Sequence, residues 1–213
     1  MALVNILGIA LWLVVLGCLW FALHNIRTRR LKRLVHRQYG FNGKDFGKST
    51  VLMLVFLALL GTASYFTFFR DVDLEDENAV SVKYDYEPLV MTPIGGKFYD
   101  VKVENGNGKQ PLQHYTYWVK GARYQITSNN ATIVAGPHPL SVAASNYPWS
   151  KKELAHYDKK YEQTFAATLK ATYKPTLLNG LGIRAGRTAR HFTIIRVPNS
   201  SVIYMKPVKP IKD

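Results

Sequence analysis

The sequence predicts an α+β protein: two N-terminal transmembrane helices, then a mainly antiparallel sheet with one packed helix. Three observations carry that expectation. Two uncharged apolar runs, Ala2 to Leu23 and Ser49 to Phe69, each supply the roughly 20 residues that take a helix across a bilayer. After them come short stretches of alternating apolar and polar residues, bounded by Gly, Pro and Asn, which is the pattern of half-buried strands. One longer stretch, Ser150 to Tyr173, has helical spacing instead.

The two runs flank a basic segment. Arg27, Arg29, Arg30, Lys32, Arg33, Arg37, Lys44 and Lys48 face a single acid, Asp45. Short loops rich in Lys and Arg stay on the cytoplasmic side. The expected layout is therefore a first span over 1–23, a basic cytoplasmic loop over 24–48, a second span over 49–69, and an extracytoplasmic domain over 70–213. The N-terminus lies outside as well. No basic region precedes the first run and the charge follows it, the reverse of a cleaved signal peptide. An uncleaved anchor is expected.

Within the first run, Trp20 and His24 suit the inner interface, and Asn5 lies near enough to the outer end to reach headgroups. The second run ends in Tyr65, Phe66, Phe68 and Phe69, an aromatic belt at the outer surface. Its Gly61-Thr62-Ala63-Ser64 patch permits close helix approach. From His24 to Tyr39, Ile26, Leu31, Leu34 and Val35 sit among the charges. Such a segment can lie along the inner leaflet, where Arg27, Arg29, Arg30, Lys32, Arg33 and Arg37 are candidates for anionic lipid, at about 1 kcal/mol per basic residue. The same charges can equally serve only to fix topology. Gly40, Asn42, Gly43 and Gly47 suit the turn back.

The formal net charge of +14 is unevenly spread. From Asp71 to Glu104 nine acids oppose Lys83, Lys97 and Lys102, and the first of them read as a solvated stalk. From Asn105 onward sixteen Lys and Arg oppose Glu153, Asp158, Glu162 and Asp213. Such asymmetry points to an anionic partner for the second half. Outside a membrane that partner is a lipid headgroup or wall polymer, not nucleic acid. The only cysteine, Cys18, lies inside the first apolar run. The outer part has no disulfide, which leans toward a bacterial, Gram-positive source.

In the outer domain, Ala79 to Tyr86 and Lys97 to Glu104 read as strands. Asn105-Gly106-Asn107-Gly108 reads as a turn. His114 to Val119 and Arg123 to Thr127 form a hairpin about Lys120-Gly121-Ala122, and Ala131 to Val134 a short strand. Ser150 and Glu153 make a capping box for the helix. Leu154, Tyr157, Tyr161, Phe165, Leu169 and Tyr173 form its apolar face, and Pro175 stops it. Asn179-Gly180-Leu181-Gly182 reads as a flexible turn. His191 to Val197 and Val202 to Met205 read as a terminal hairpin, and Lys206 to Asp213 as a frayed tail.

Catalytic signatures are few. A nucleophile needs an activating base in reach, and the outer domain has no cysteine, no Gly-x-Ser-x-Gly and no Ser-x-x-Lys. His114, His138, His156 and His191 show no metal-ligand spacing. No catalytic residue, cofactor or metal is assigned. Asp85 with Glu87, or Asp100 with Glu104, could make a carboxylate pair. The sharpest feature is Arg184, Arg187, Arg190, His191 and Arg196. Arginine forks grip phosphate or carboxylate, so these five are candidates for anion binding. A solvated basic face explains them as well.

The double-span start, basic inner loop and β-rich outer part, with stretches such as Lys83-Tyr84-Asp85-Tyr86 and Met91-Thr92-Pro93, resemble uncharacterised two-span membrane proteins of lactic-acid bacteria. That resemblance implies no activity and transfers no site residue. The expected function is a non-catalytic envelope protein. Its outer domain binds an anionic envelope component or a protein partner, and its hairpin contacts membrane lipid and is a candidate contact for other membrane proteins. The alternative is a membrane-tethered hydrolase or transferase acting on wall or lipid substrates.

Overall fold

The computed structural model describes residues 3–35, 43–106 and 112–206. The chain forms two compact units, each built from separate stretches. One contains Met1–Ser81 and Thr172–Arg187; the other contains Val82–Ala171 and Thr188–Asp213. Residues 70–81 and 172–187, expected within a single outer domain, cluster with the N-terminal helices.

The helical unit is built on α1 (Asn5–Val35) and α2 (Gly43–Ser64), the latter continued by a π-helical turn, Tyr65–Phe69. Asn5–Arg29 and Phe46–Phe69 are each long and apolar enough to cross a membrane. At 31 residues, α1 is about 46 Å long. That is longer than the hydrocarbon layer of a bilayer, about 30 Å. The two helices pack through Val15, Phe56 and Ala63, with Leu11, Trp12, Leu19 and Leu60 around them. Of the small-residue patch, Ala63 is buried in this contact, whereas Gly61 and Thr62 are exposed. The Trp12 indole N–H donates to Thr67 Oγ1 at 3.2 Å, and its ring meets Phe68 edge-on.

The same unit receives the 172–187 excursion. Its neck is closed where Tyr173 N–H donates to the Arg187 carbonyl and Gly186 N–H to the Tyr173 carbonyl. The expected flexible turn at Asn179–Gly182 is instead part of a short helix, α4 (Leu177–Leu181). Thr176 caps it by accepting from Asn179 N–H at 3.3 Å. This turn is held by backbone proximity. A Cβ on Gly180 would lie 2.4 Å from the Val4 carbonyl oxygen, one on Gly8 2.6 Å from that of Gly180, and one on Gly182 2.5 Å from that of Phe66. Only glycine permits those approaches.

The second unit is a β-sandwich with one helix. Its strands are β1 (Val80–Pro88, beginning in the helical unit), β2 (Thr92–Ile94), β3 (Lys97–Tyr99), β4 (Val101–Asn105), β5 (Gln113–Val119), β6 (Ala122–Thr127), β7 (Ala131–Ala135), β8 (Phe165–Tyr173), β9 (Thr188–Val197) and β10 (Ile203–Met205). One sheet has the order β1-β8-β9-β7 and the other β10-β4-β5-β6; β2 and β3 make a small ribbon. The β5–β6 hairpin turns at Lys120 and Gly121, both with positive φ, so that Tyr117 faces Tyr124. The core between the sheets holds Val101, Val103, Tyr115, Tyr117 and Val119 from one, and Ala131, Ala166, Ile195 and Val197 from the other.

Two further expectations are corrected. The helix expected over Ser150 to Tyr173 is the shorter α3 (Lys151–Lys160). Glu162 and Gln163 then adopt φ of 49° and 62°, and Phe165–Tyr173 is a strand. Ser150 does cap α3, accepting from Glu153 N–H at 3.3 Å. The terminal hairpin does not form either. β9 pairs in parallel with β7, while β10 crosses to the other sheet and runs parallel to β4. The expected turn at 107–108 and the tail from 207 onward lie outside the described residues.

Candidate functional site

The five residues proposed for anion binding separate by environment. Arg196 is fully buried on β9, where its Nε and Nη2 meet Asp158 at 2.6 and 3.2 Å and its Nη1 donates to the Val134 carbonyl. Its position in the run Ile194-Ile195-Arg196-Val197 places it among core side chains, so it fixes α3 to the sheet and offers nothing to solvent. Arg184 is also engaged. Its Nε and Nη2 donate to the Thr67 carbonyl at 3.1 and 2.8 Å, and its Nη1 to the Arg70 carbonyl at 2.5 Å. Those carbonyls belong to the end of the second helix and the residue just past it, where the backbone lacks intrahelical donors and carries partial negative charge. Arg187, Arg190 and His191 are exposed.

Beside Arg184, two asparagines complete a polar seam at the helix ends. Asn5 is 2% exposed and exchanges two hydrogen bonds with Ala185: its Nδ2 donates to the carbonyl at 3.0 Å and its Oδ1 accepts from the N–H at 3.1 Å. Asn5 therefore reads protein backbone, not headgroups. Asn179 is fully buried, donates to the carbonyls of Ala79 and Lys174, and accepts from Arg70 Nη1 at 3.3 Å. The seam joins residues about 180 positions apart, and no local sequence signal marks it. The polar Asn5 in an apolar helix was the only clue.

In the sandwich unit, Asp85 and Glu87 of β1, Tyr117 of β5, Tyr124 of β6, Thr168 of β8 and His191 of β9 line a pocket of about 150 Å³. Val119 and Ala166 complete its lining. Asp85 and Glu87 share a strand face because side chains alternate with period two. Glu87 is ion-paired with Lys120. The Tyr117 and Tyr124 rings stack at 5.6 Å. Although His191 is exposed, the partial desolvation of its ring in the pocket, with Lys170 nearby, lowers its pKa. The shift favours the neutral imidazole, which can donate from one nitrogen and accept at the other. Burial raises the Tyr117 hydroxyl pKa, which keeps it a donor. The expected three-residue turn Lys120-Gly121-Ala122 would have set Tyr124 opposite Trp118; the observed turn is one residue shorter and sets it opposite Tyr117, and the meeting of Asp85, Glu87 and His191 was not readable either.

The other carboxylate pair does not converge on a site. Glu104 is held low by hydrogen bonds from Lys206 and Lys102. Asp100 is fully buried and neither carboxylate oxygen has a hydrogen-bond partner among the described residues. Desolvation raises its pKa. Of the inner-leaflet candidates, Arg27 is exposed and Arg29 partly buried on α1. The side chains of Arg30, Lys32 and Arg33, and all of Arg37, lie outside the described residues.

No curated protein and no solved structure matches the chain. One family model does, over residues 3–204; the family is named after a locus of a lactic-acid bacterium and its function is unknown. The match runs from the turn before α1 into β10, and the resemblance drawn from the layout is borne out. With nearly the whole sequence covered, the chain belongs to this lactic-acid bacterial family.

Proposed function

We propose that the chain is a membrane-anchored cell-envelope protein whose β-rich part faces outward and binds an anionic envelope component without catalysing a reaction. The observation that carries the anchor is exposed apolar surface. Leu13, Leu16, Val51 and Leu54 are 63%, 57%, 61% and 60% exposed on two helices that bear no charge over these runs. At about 25 cal/mol per Å² of apolar surface, two such helices are not stable in water and are stable in lipid. The basic loop then orients the hairpin with residues 24–48 inside.

The binding reading rests on exposed cations for which no carboxylate partner is found among the described residues. Lys170 of β8 and Arg190 of β9 are exposed, and the Lys170 charge further disfavours protonation of His191. Neutral His191 leaves Lys170 and Arg190 as the charge carriers at pH 7. The test is salt-dependent binding of the detergent-solubilised full chain to an anionic wall polymer. Changing Lys170 and Arg190 to Gln is expected to weaken it about tenfold or more. No binding at low salt would end the anion reading and leave a protein partner.

The pocket favours a second reading, hydrolysis or group transfer on a wall or lipid substrate. Two carboxylates and a neutral imidazole around one recess are the elements of general acid–base chemistry. In that reading Asp85→Asn and His191→Ala each abolish turnover while leaving the fold intact. Equal, unmeasurable turnover in all three proteins would dismiss it.

A further inference from the structure

Where the charged ends of α1 and α2 come together, the helices enclose a cleft of about 540 Å³. One end carries polar and cationic groups: Asn25 and Arg29 of α1, Lys48 and Ser49 of α2. The wall is apolar, from Ile26, Val51 and Leu52. Gly47 also borders the cleft, and a Cβ there would meet nothing within 4 Å. No carboxylate is among the described lining residues. Arg29 and Ser49 also interact with other groups of the protein, whereas Lys48 is exposed.

Depth along the helices is informative. The span-length apolar segments end at Arg29 in α1 and begin at Phe46 in α2. The cleft therefore sits where hydrocarbon gives way to headgroups. A cation-rich mouth above an apolar wall, at that depth, matches an amphiphile with a negative head. Arg29 offers a planar fork and Lys48 a compact ammonium, the two ways side chains hold phosphate. Asn25 and Ser49 add neutral donors.

We propose that this cleft is a binding site for one anionic phospholipid, its phosphate held by Lys48 and Arg29 and an acyl chain lying on Ile26, Val51 and Leu52. The proposal rests on the reading that the two helices cross a membrane, and not on the ligand of the β-rich part. A site of this kind differs from diffuse attraction by the basic loop, because it depends on the shape of the cleft and not only on charge.

The test is native mass spectrometry of the detergent-solubilised full chain incubated with phosphatidylglycerol or phosphatidylcholine. One phosphatidylglycerol per chain is expected to remain bound at concentrations where phosphatidylcholine does not. Lys48→Gln should weaken retention about fivefold, and Lys48→Arg should preserve it. Gly47→Leu fills the cleft while keeping every charge, and should abolish retention. Arg27→Gln removes an exposed charge outside the lining and should have a smaller effect than Lys48→Gln. Equal losses for Arg27→Gln and Lys48→Gln, or unchanged retention in Gly47→Leu, would overturn the site in favour of diffuse attraction. Displacement by glycerol phosphate or inorganic phosphate would show a phosphate site and overturn the lipid. Release of the chain from membranes by alkaline carbonate would separately defeat the span reading.

Discussion

Replacing Arg184 by Gln separates a structural role from a ligand role at the residue that sequence alone placed among the anion binders. The guanidinium makes three hydrogen bonds onto the carbonyls of Thr67 and Arg70, at 2.5 to 3.1 Å. A hydrogen bond from a charged donor contributes about 1.5–3 kcal/mol net. The three share one side chain that is only partly buried, so their effects do not sum fully and solvent screens them. The expected loss is about 2–4 kcal/mol, which for a chain of this size lowers Tm by about 5–15 °C. The assay is thermal unfolding of the detergent-solubilised protein followed by tryptophan fluorescence, since Trp12 lies against Thr67. Arg184→Lys keeps the charge but loses the fork, and should fall between the two. A Tm within about 1 °C of wild type, together with lost binding to anionic polymer, would refute the structural assignment.

Other substitutions test other parts of the fold. Gly180→Ala drives a Cβ to 2.4 Å from the Val4 backbone oxygen; α4 should lose its seat, and limited proteolysis should cut within 172–187 many times faster. Arg196→Ala strands the Asp158 carboxylate, 15% exposed, and should cost about 3–5 kcal/mol in a denaturant titration. Asp100 has a raised pKa, so the folded state holds its proton more tightly than the unfolded chain. That contribution is complete below the unfolded pKa of about 4 and is lost as pH rises through the folded value. Asp100→Asn should therefore flatten the fall in Tm on going from pH 4 to pH 7, and should be more stable than wild type at pH 7.

Much of the architecture was written in local patterns. Uncharged runs of spanning length gave both long helices, Ser150 with Glu153 gave the start of α3, and Lys120-Gly121-Ala122 marked the β5–β6 hairpin, although Ala122 already pairs in β6. The end of α3 was hidden because no Gly or Pro marks it. Glu162 and Gln163 take positive φ without a glycine, and Tyr157, Tyr161, Phe165 and Leu169 continue the helical spacing into a strand by coincidence. Tyr157 stacks on Tyr86 at 4.2 Å, and Phe165 begins β8 fully buried. The candidate sites were less legible because they depend on distant pairs. Arg184 and Arg196 look alike in a basic run, yet one finds helix carbonyls and the other Asp158. Nothing local distinguishes them except the continuously buried run, Phe192 to Val197, in which Arg196 lies.

The membrane hairpin and its orientation can be tested together by cysteine labelling. Cys18 is replaced by Ala, and a single cysteine is placed at Val142, which is 89% exposed, or at Lys48. With an impermeant thiol reagent on intact cells, Val142→Cys should label and Lys48→Cys should label only after permeabilisation. Labelling of Lys48→Cys on intact cells, with Val142→Cys protected until lysis, would contradict the outward placement of the β-rich part.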